Sequence, residues 1–134
     1  LELPIIVTEQ YPQGLGETAE PVAGALGDVA RIEKVVFSGC RAEGFDLRGR
    51  RQALVCGIET HVCVHQTVAD LLADGVEVHL AVDAVGSRKP RDREVGLARM
   101  EHAGAVISSV ETALLELVGR AGTSEFKTIQ ELIK

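Results

Sequence analysis

Short apolar runs alternate along the chain with stretches whose apolar positions recur every three or four residues. The runs read as strands: "PIIVTE" (Pro4 to Glu9), "IEKVVFS" (Ile32 to Ser38), "QALVCGI" (Gln52 to Ile58), "VEVHLAVDA" (Val76 to Ala84) and "AVISS" (Ala105 to Ser109). The clearest helix spans Thr60 to Asp74, where Val64, Val68, Leu71 and Leu72 make one apolar face and Gly75 supplies the stop. A second helix runs from Pro90 to Ala103, with proline in its first turn and Gly104 after its end. Ser108 with Glu111 reads as a capping box for "VETALLELV", whose stripe is Val110, Leu114, Leu117 and Val118. A last helix from Ser124 carries Phe126, Ile129 and Ile133 on one side. Pro12, Gly14 and Gly16 mark a loop, "VAGAL" after Pro21 forms one helical turn, and "GCRAEGFDLRGR" is a short helix at most.

Strands alternating with helices of this length predict an α/β fold with a parallel sheet and helices on both faces. "ALVCGI" is continuously apolar, as a strand covered on both sides should be. In such sheets ligands bind beyond the carboxyl ends of the strands. That rule points to Glu9, to the turn from Gly57 to Cys63, and to Asp83 with the loop after it.

Composition narrows the function. A chain of 134 residues is one domain's worth, residues 1–134. Its net charge of -6, its 3 % aromatic content and the lack of a basic stripe argue against a nucleic-acid partner. No apolar run is long enough to span a membrane. Three cysteines without a CxxC pair suggest no disulfide framework, so a reducing cytoplasm is the expected compartment.

Cys63 is the first candidate for chemistry. It falls in the first turn of a helix just past a strand, where free N–H groups and the helix dipole favour a thiolate and can hold an oxyanion. The competing reading is a small residue that packs. Cys56, among Ala53, Leu54, Val55 and Ile58, reads as core filler, and Cys40 has no identifiable partner. His61 and His65 have the spacing of a two-histidine metal site, but no third ligand accompanies them, and they read as two exposed helix histidines. "GLGETA" has the form of a dinucleotide fingerprint in the wrong context, with Pro12 before it and Pro21 after it. Lys34, in an apolar extended segment, is either an edge gatekeeper or a charge placed for use. Asp83 reads as a cap for a loop or for the next helix's N–H groups.

The stretch "CGIETHVCVHQTVADLLADGVEVHLAVDAVGSR" resembles the signature of the isochorismatase-like (cysteine hydrolase) superfamily: G-x-x-T-x-x-C-V, then T and D along the helix, then V-x-V-D-A with S and R after it. "EKVVFS" resembles that family's lysine segment, and "VTEQYPQGLG" and "EFKTIQELI" resemble its isochorismatase domain-containing branch. The resemblance implies a three-layer α/β/α sandwich around a mostly parallel sheet. It implies a hydrolase with an Asp-Lys-Cys triad that works through a thioester on a small amide or carbamoyl compound. Cys63 matches the nucleophile and Lys34 the lysine; the Asp and its strand are expected N-terminal to Leu1, which makes the domain N-terminally incomplete. The resemblance also implies a cis Ile58–Glu59 peptide that aims the Glu59 and Cys63 N–H groups at an oxyanion. Glu9, Gln10 and Tyr11 would line the cleft. No cofactor and no metal are implied, since "EQYPQGLGETAEP" lacks the histidines of metal-dependent nicotinamidases. The partners expected are a small-molecule substrate and further copies of the chain in a homo-oligomer. The alternative is a catalytically silent binding or scaffold protein with the same fold.

Overall fold

The computed structural model describes residues 1 and 3–134. Five strands and six helices follow one another. They are β1 (Val7–Gln10), α1 (Pro12–Leu15), α2 (Glu20–Leu26), β2 (Arg31–Lys34), β3 (Gln52–Ile58), α3 (His65–Ala73), β4 (Glu77–Gly86), α4 (Pro90–His102), β5 (Val106–Ser108), α5 (Val110–Val118) and α6 (Ser124–Leu132). A 3-10 turn, Gly39–Arg41, precedes β3, and a π-helical turn, Thr60–Val64, runs directly into α3. All strand pairings are parallel, in the alternating α/β order that periodicity predicts. The strands form two sets, β1-β2 and β3-β4-β5. Among the described residues, β1 pairs only with β2 and β3 only with β4, leaving one edge of each unpaired.

The apolar core belongs to the three-stranded set. Val64, Val68 and Leu71 interlock with Val78, Leu80 and Val85 of β4 and with Met100 of α4. Val68, Val78 and Leu80 are fully buried. Ala81, of opposite parity to Leu80, is buried too, so β4 is covered on both faces. Ser109, one residue later than the sequence suggests, caps α5 by accepting from the Thr112 N–H at 3.1 Å. Asp83 accepts from the Val110 N–H at 2.9 Å, so it does cap a helix start, but that of α5 and not that of α4, the helix that follows it in sequence.

β3 departs from its apolar sequence. Ala53 and Val55 pack on the core, whereas Leu54, Cys56 and Ile58 stand on the other face and are exposed. Cys56 is therefore not core filler: a strand sends alternate side chains to opposite faces, and nothing covers this one among the described residues. No helix of the described residues is long and apolar enough to cross a membrane.

Candidate active site

The carboxyl end of β3 turns sharply into α3. Gly57 takes φ +118°, a region that a side chain disfavours, and the Ile58–Glu59 peptide is cis. The Glu59 carbonyl accepts from the Val62 and Val64 N–H groups at 3.1 and 3.2 Å, closing the π-helical turn that carries Cys63. Gly96 of α4 lies against this turn. A methyl group there would come within 3.0 Å of the Thr60 carbonyl oxygen and of the His61 backbone, so the packing needs a very small residue.

Cys63 is half-buried. Its thiol meets Oε1 of Gln10, at the end of β1, at 3.6 Å. The same oxygen accepts from Nζ of Lys34 at 2.5 Å. The Gln10 amide is oriented from its other end, where Nε2 donates to the Val35 carbonyl at 2.9 Å. Lys34, at the end of β2, is buried. Its two further hydrogen bonds go to the Val36 and Phe37 carbonyls, at 3.1 and 2.9 Å, so all three ammonium hydrogens have acceptors. Those acceptors are neutral dipoles, and no carboxylate of the described residues pairs with the ammonium. A buried charge of this kind is costly unless an anion comes to it. A gatekeeping lysine would point to solvent, and the buried Lys34 does not.

Two connections fasten the lysine segment to α3 and the turn before it. Thr67 donates its hydroxyl to the Cys63 carbonyl at 2.7 Å and accepts from the Gly39 N–H at 2.8 Å. Asp70 takes a two-pronged bond from the Arg41 guanidinium, both arms at 2.8 Å. Arg41 holds the Asp70 carboxyl below the usual carboxylate range.

Among the residues that the sequence singles out, Gln10, Lys34 and Cys63 converge. Tyr11 borders them: its N–H donates to the Lys34 carbonyl at 2.8 Å, and it shares with Lys34 a cleft of about 370 Å³ that Arg41 and Glu43 also line. Glu9 does not join them. It neighbours Gln10 on a strand and so points to the opposite face, into a separate cleft. There its carboxylate accepts from the Thr18 hydroxyl at 2.5 Å and the Thr18 N–H at 2.9 Å and faces Arg31 at 3.6 Å. The Thr18 bonds hold it below the usual range.

His61 and His65 are half-buried, not exposed. His61 Nδ1 meets the Ser87 hydroxyl at 3.0 Å and Nε2 lies 3.8 Å from Asp92. Burial, helped by Arg99, pushes the His65 imidazole down from its ordinary value. No group of three metal-ligating side chains exists among the described residues.

Sequence reasoning missed the Glu59 side chain. Its Oε1 accepts from both the N–H and Nε of Arg88, each at 2.9 Å. No local sequence signal reports it, because the two residues are 29 apart along the chain.

The isochorismatase domain model matches residues 1–112. Isochorismatase domain-containing protein 2 of Pongo abelii is 47 % identical over 137 residues, which cover all of this chain and 66 % of that protein. The chain thus spans under two thirds of that relative's length. The solved structure of the MAR1 ribonuclease of Caenorhabditis elegans superposes with a TM-score of 0.89 at 42 % identity, over 98 % of this chain and 69 % of that one. The zinc-bound pyrazinamidase of Pyrococcus horikoshii superposes with a TM-score of 0.54 at 35 % identity, over 61 % of this chain and 51 % of that one.

Proposed function

Because the chain belongs to the isochorismatase family, its hydrolase fold is given, and we propose that it hydrolyses a small amide or carbamoyl compound with Cys63 as nucleophile. One observation carries this reading: the Cys63 thiol and the buried Lys34 ammonium share the Gln10 amide oxygen. A cation held away from water, one shared amide oxygen removed from a sulfur, favours a negative charge on that sulfur. Cys63 then attacks the carbonyl carbon, and the oxygen that becomes negative is met by the Glu59 and Cys63 N–H groups. The carbon–nitrogen bond breaks, the amine leaves with a proton, and water hydrolyses the thioester. The family resemblance gives the removal of the thiol proton to an aspartate. The Pyrococcus neighbour is named for an amidase activity, which supports this choice of substrate class.

The name of the Caenorhabditis neighbour raises a second reading, cleavage of RNA. The net charge of -6 and the scarcity of aromatic residues weigh against a polyanion that stacks on the protein. The test is ammonia release from a panel of small amides and carbamoyl compounds by the full-length protein, with a structureless RNA as a parallel substrate. Turnover of a panel member that disappears in Cys63→Ala, with RNA left intact, is the expected result. Cleavage of RNA that persists in Cys63→Ala overturns the proposal. So does a protein that hydrolyses no member of the panel, and that outcome favours the scaffold alternative.

A further inference from the structure

The mechanism uses the backbone of Glu59 and leaves its side chain without a task. That side chain is not idle. The residue sits one bond past the cis peptide, with φ -90° and ψ 143°. Its carbonyl is tied down by the Val62 and Val64 N–H groups. Its carboxylate is tied down at the other end, with one oxygen taking both the N–H and Nε of Arg88. Charge-assisted bonds of this length are among the stronger ones available to a protein. The Arg88 guanidinium, followed by the Arg88 N–H, also holds the Glu59 carboxyl below its usual range. A second connection runs beside the first: Ser87 of the same loop meets His61 Nδ1 of the same turn at 3.0 Å. The loop after β4 therefore grips the nucleophile turn on both sides of Thr60, which is itself fully buried.

We infer that Arg88, acting through the Glu59 carboxylate, is a positioning residue that fixes the Glu59 peptide N–H as an oxyanion donor. With its carbonyl and its carboxylate both anchored, the Glu59 α-carbon is held between them, and this limits rotation of the N–H that joins it on the third side. An oxyanion donor contributes only when charge develops on the carbonyl oxygen, so its alignment affects the transition state and leaves substrate binding alone. Arg88 is 86 % exposed, and the Glu59 side chain 19 %. The pair therefore adds little to overall stability, which separates its role from that of a structural bridge.

The inference rests on the hydrolase reading above, and the test keeps the two apart by giving Cys63 two reactions. In the first, p-nitrophenyl acetate acetylates the sulfur: a carbon–sulfur bond forms, the ester carbon–oxygen bond breaks, and p-nitrophenolate departs with the electron pair through a tetrahedral oxyanion. In the second, iodoacetamide alkylates the same sulfur by direct displacement of iodide, with no oxyanion. In the full-length protein, Arg88→Ala slows acetylation by about tenfold, a fraction of the 10²–10³ that losing a whole donor costs. It leaves alkylation within about twofold, as expected for a change that spares the thiolate. Arg88→Lys, which unlike alanine keeps a positive charge near the carboxylate, recovers part of the loss. Acetylation by Arg88→Ala at the wild-type rate overturns the inference. Equal slowing of both reactions also overturns it, because the change then reached the sulfur itself. A wild-type protein that alkylates normally and never acetylates refutes the hydrolase reading, and the inference with it.

Discussion

The stretch from Val64 to Ala105 and the stretch from Val7 to Arg41 are held by different means. The first contains the whole buried apolar cluster, built from α3, β4 and α4. In the second, the buried side chains are Glu9, Lys34 and Ser38, all polar, while Tyr11, Leu15, Val35 and Phe37 are exposed. Burial of hydrocarbon carries one region and hydrogen bonding the other. Cys63 directly precedes the first, and Gln10 of the second meets its thiol while accepting from Lys34. Packing and buried charge are thus divided between them: the packed core supports the turn that carries Cys63, and the polar region supplies the buried ammonium that shares an acceptor with its thiol.

The sharpest way to break this contrast is to cut into each side in turn. Leu80→Ala should lower the unfolding free energy by about 2–5 kcal/mol, as large-to-small changes in packed cores do. Leu15→Ala, at an exposed position of the polar region, should stay within about 0.5 kcal/mol. Chemical denaturation measures both, and equal losses would erase the distinction. Lys34→Met is expected to act the other way. It removes a buried charge that has only neutral acceptors, so stability holds or rises. The rate of Cys63 alkylation, followed by peptide mass mapping, should fall roughly tenfold, which is about 1.4 kcal/mol of lost assistance. An unchanged rate would mean that the ammonium does not influence the sulfur.

Acidity sharpens the contrast with the smallest effect. Glu9, Glu59 and Asp70 have carboxyls held below their ordinary values of 4.5, 4.5 and 3.8 by Thr18, Arg88 and Arg41 respectively. A depressed carboxyl favours the folded state above its ordinary value, and that contribution disappears as pH falls through the depressed one. Glu9 lies in the polar stretch, and Asp70 is held across the boundary by Arg41 of that stretch, whereas the interlocked side chains of the core cluster hold no carboxyl. Hydrogen exchange at β1 and β2 should therefore accelerate below about pH 4.5 before exchange at β4 does. Loss of protection in β4 first would contradict the division. In Asp70→Asn the acid-dependent part of the change should shrink, because one of the three carboxyls no longer titrates.

Much of the covered region was legible because periodicity and burial agree there. Val64, Val68 and Leu71 announce α3, and Pro90 and Gly104 bracket α4. The polar region was harder to read. "VVFS" looks like a continuing strand, yet β2 ends at Lys34. The chain bends there so that the Val36 and Phe37 carbonyls reach the ammonium. α1 spans only Pro12–Leu15, too short for any period to show. Ser108 looked like a cap and is instead the buried last residue of β5, with Ser109 in the capping place. In the site, the motif identified Cys63 and Lys34, but strand parity was needed to tell Gln10 from Glu9. The Glu59–Arg88 bond joins residues 29 apart, and no local pattern reports a contact of that range.

One carbonyl oxygen on Gln10 serves two donors of different strength, and this makes the glutamine a built-in gauge. When the sulfur gives up its hydrogen, the lysine becomes that oxygen's only donor. The amide nitrogen at the far end, anchored on Val35, feels the redistribution of electrons. The NH₂ resonance of this one side chain is then a spectroscopic record of how many hydrogens the neighbouring sulfur carries, obtained without a reagent touching the cysteine.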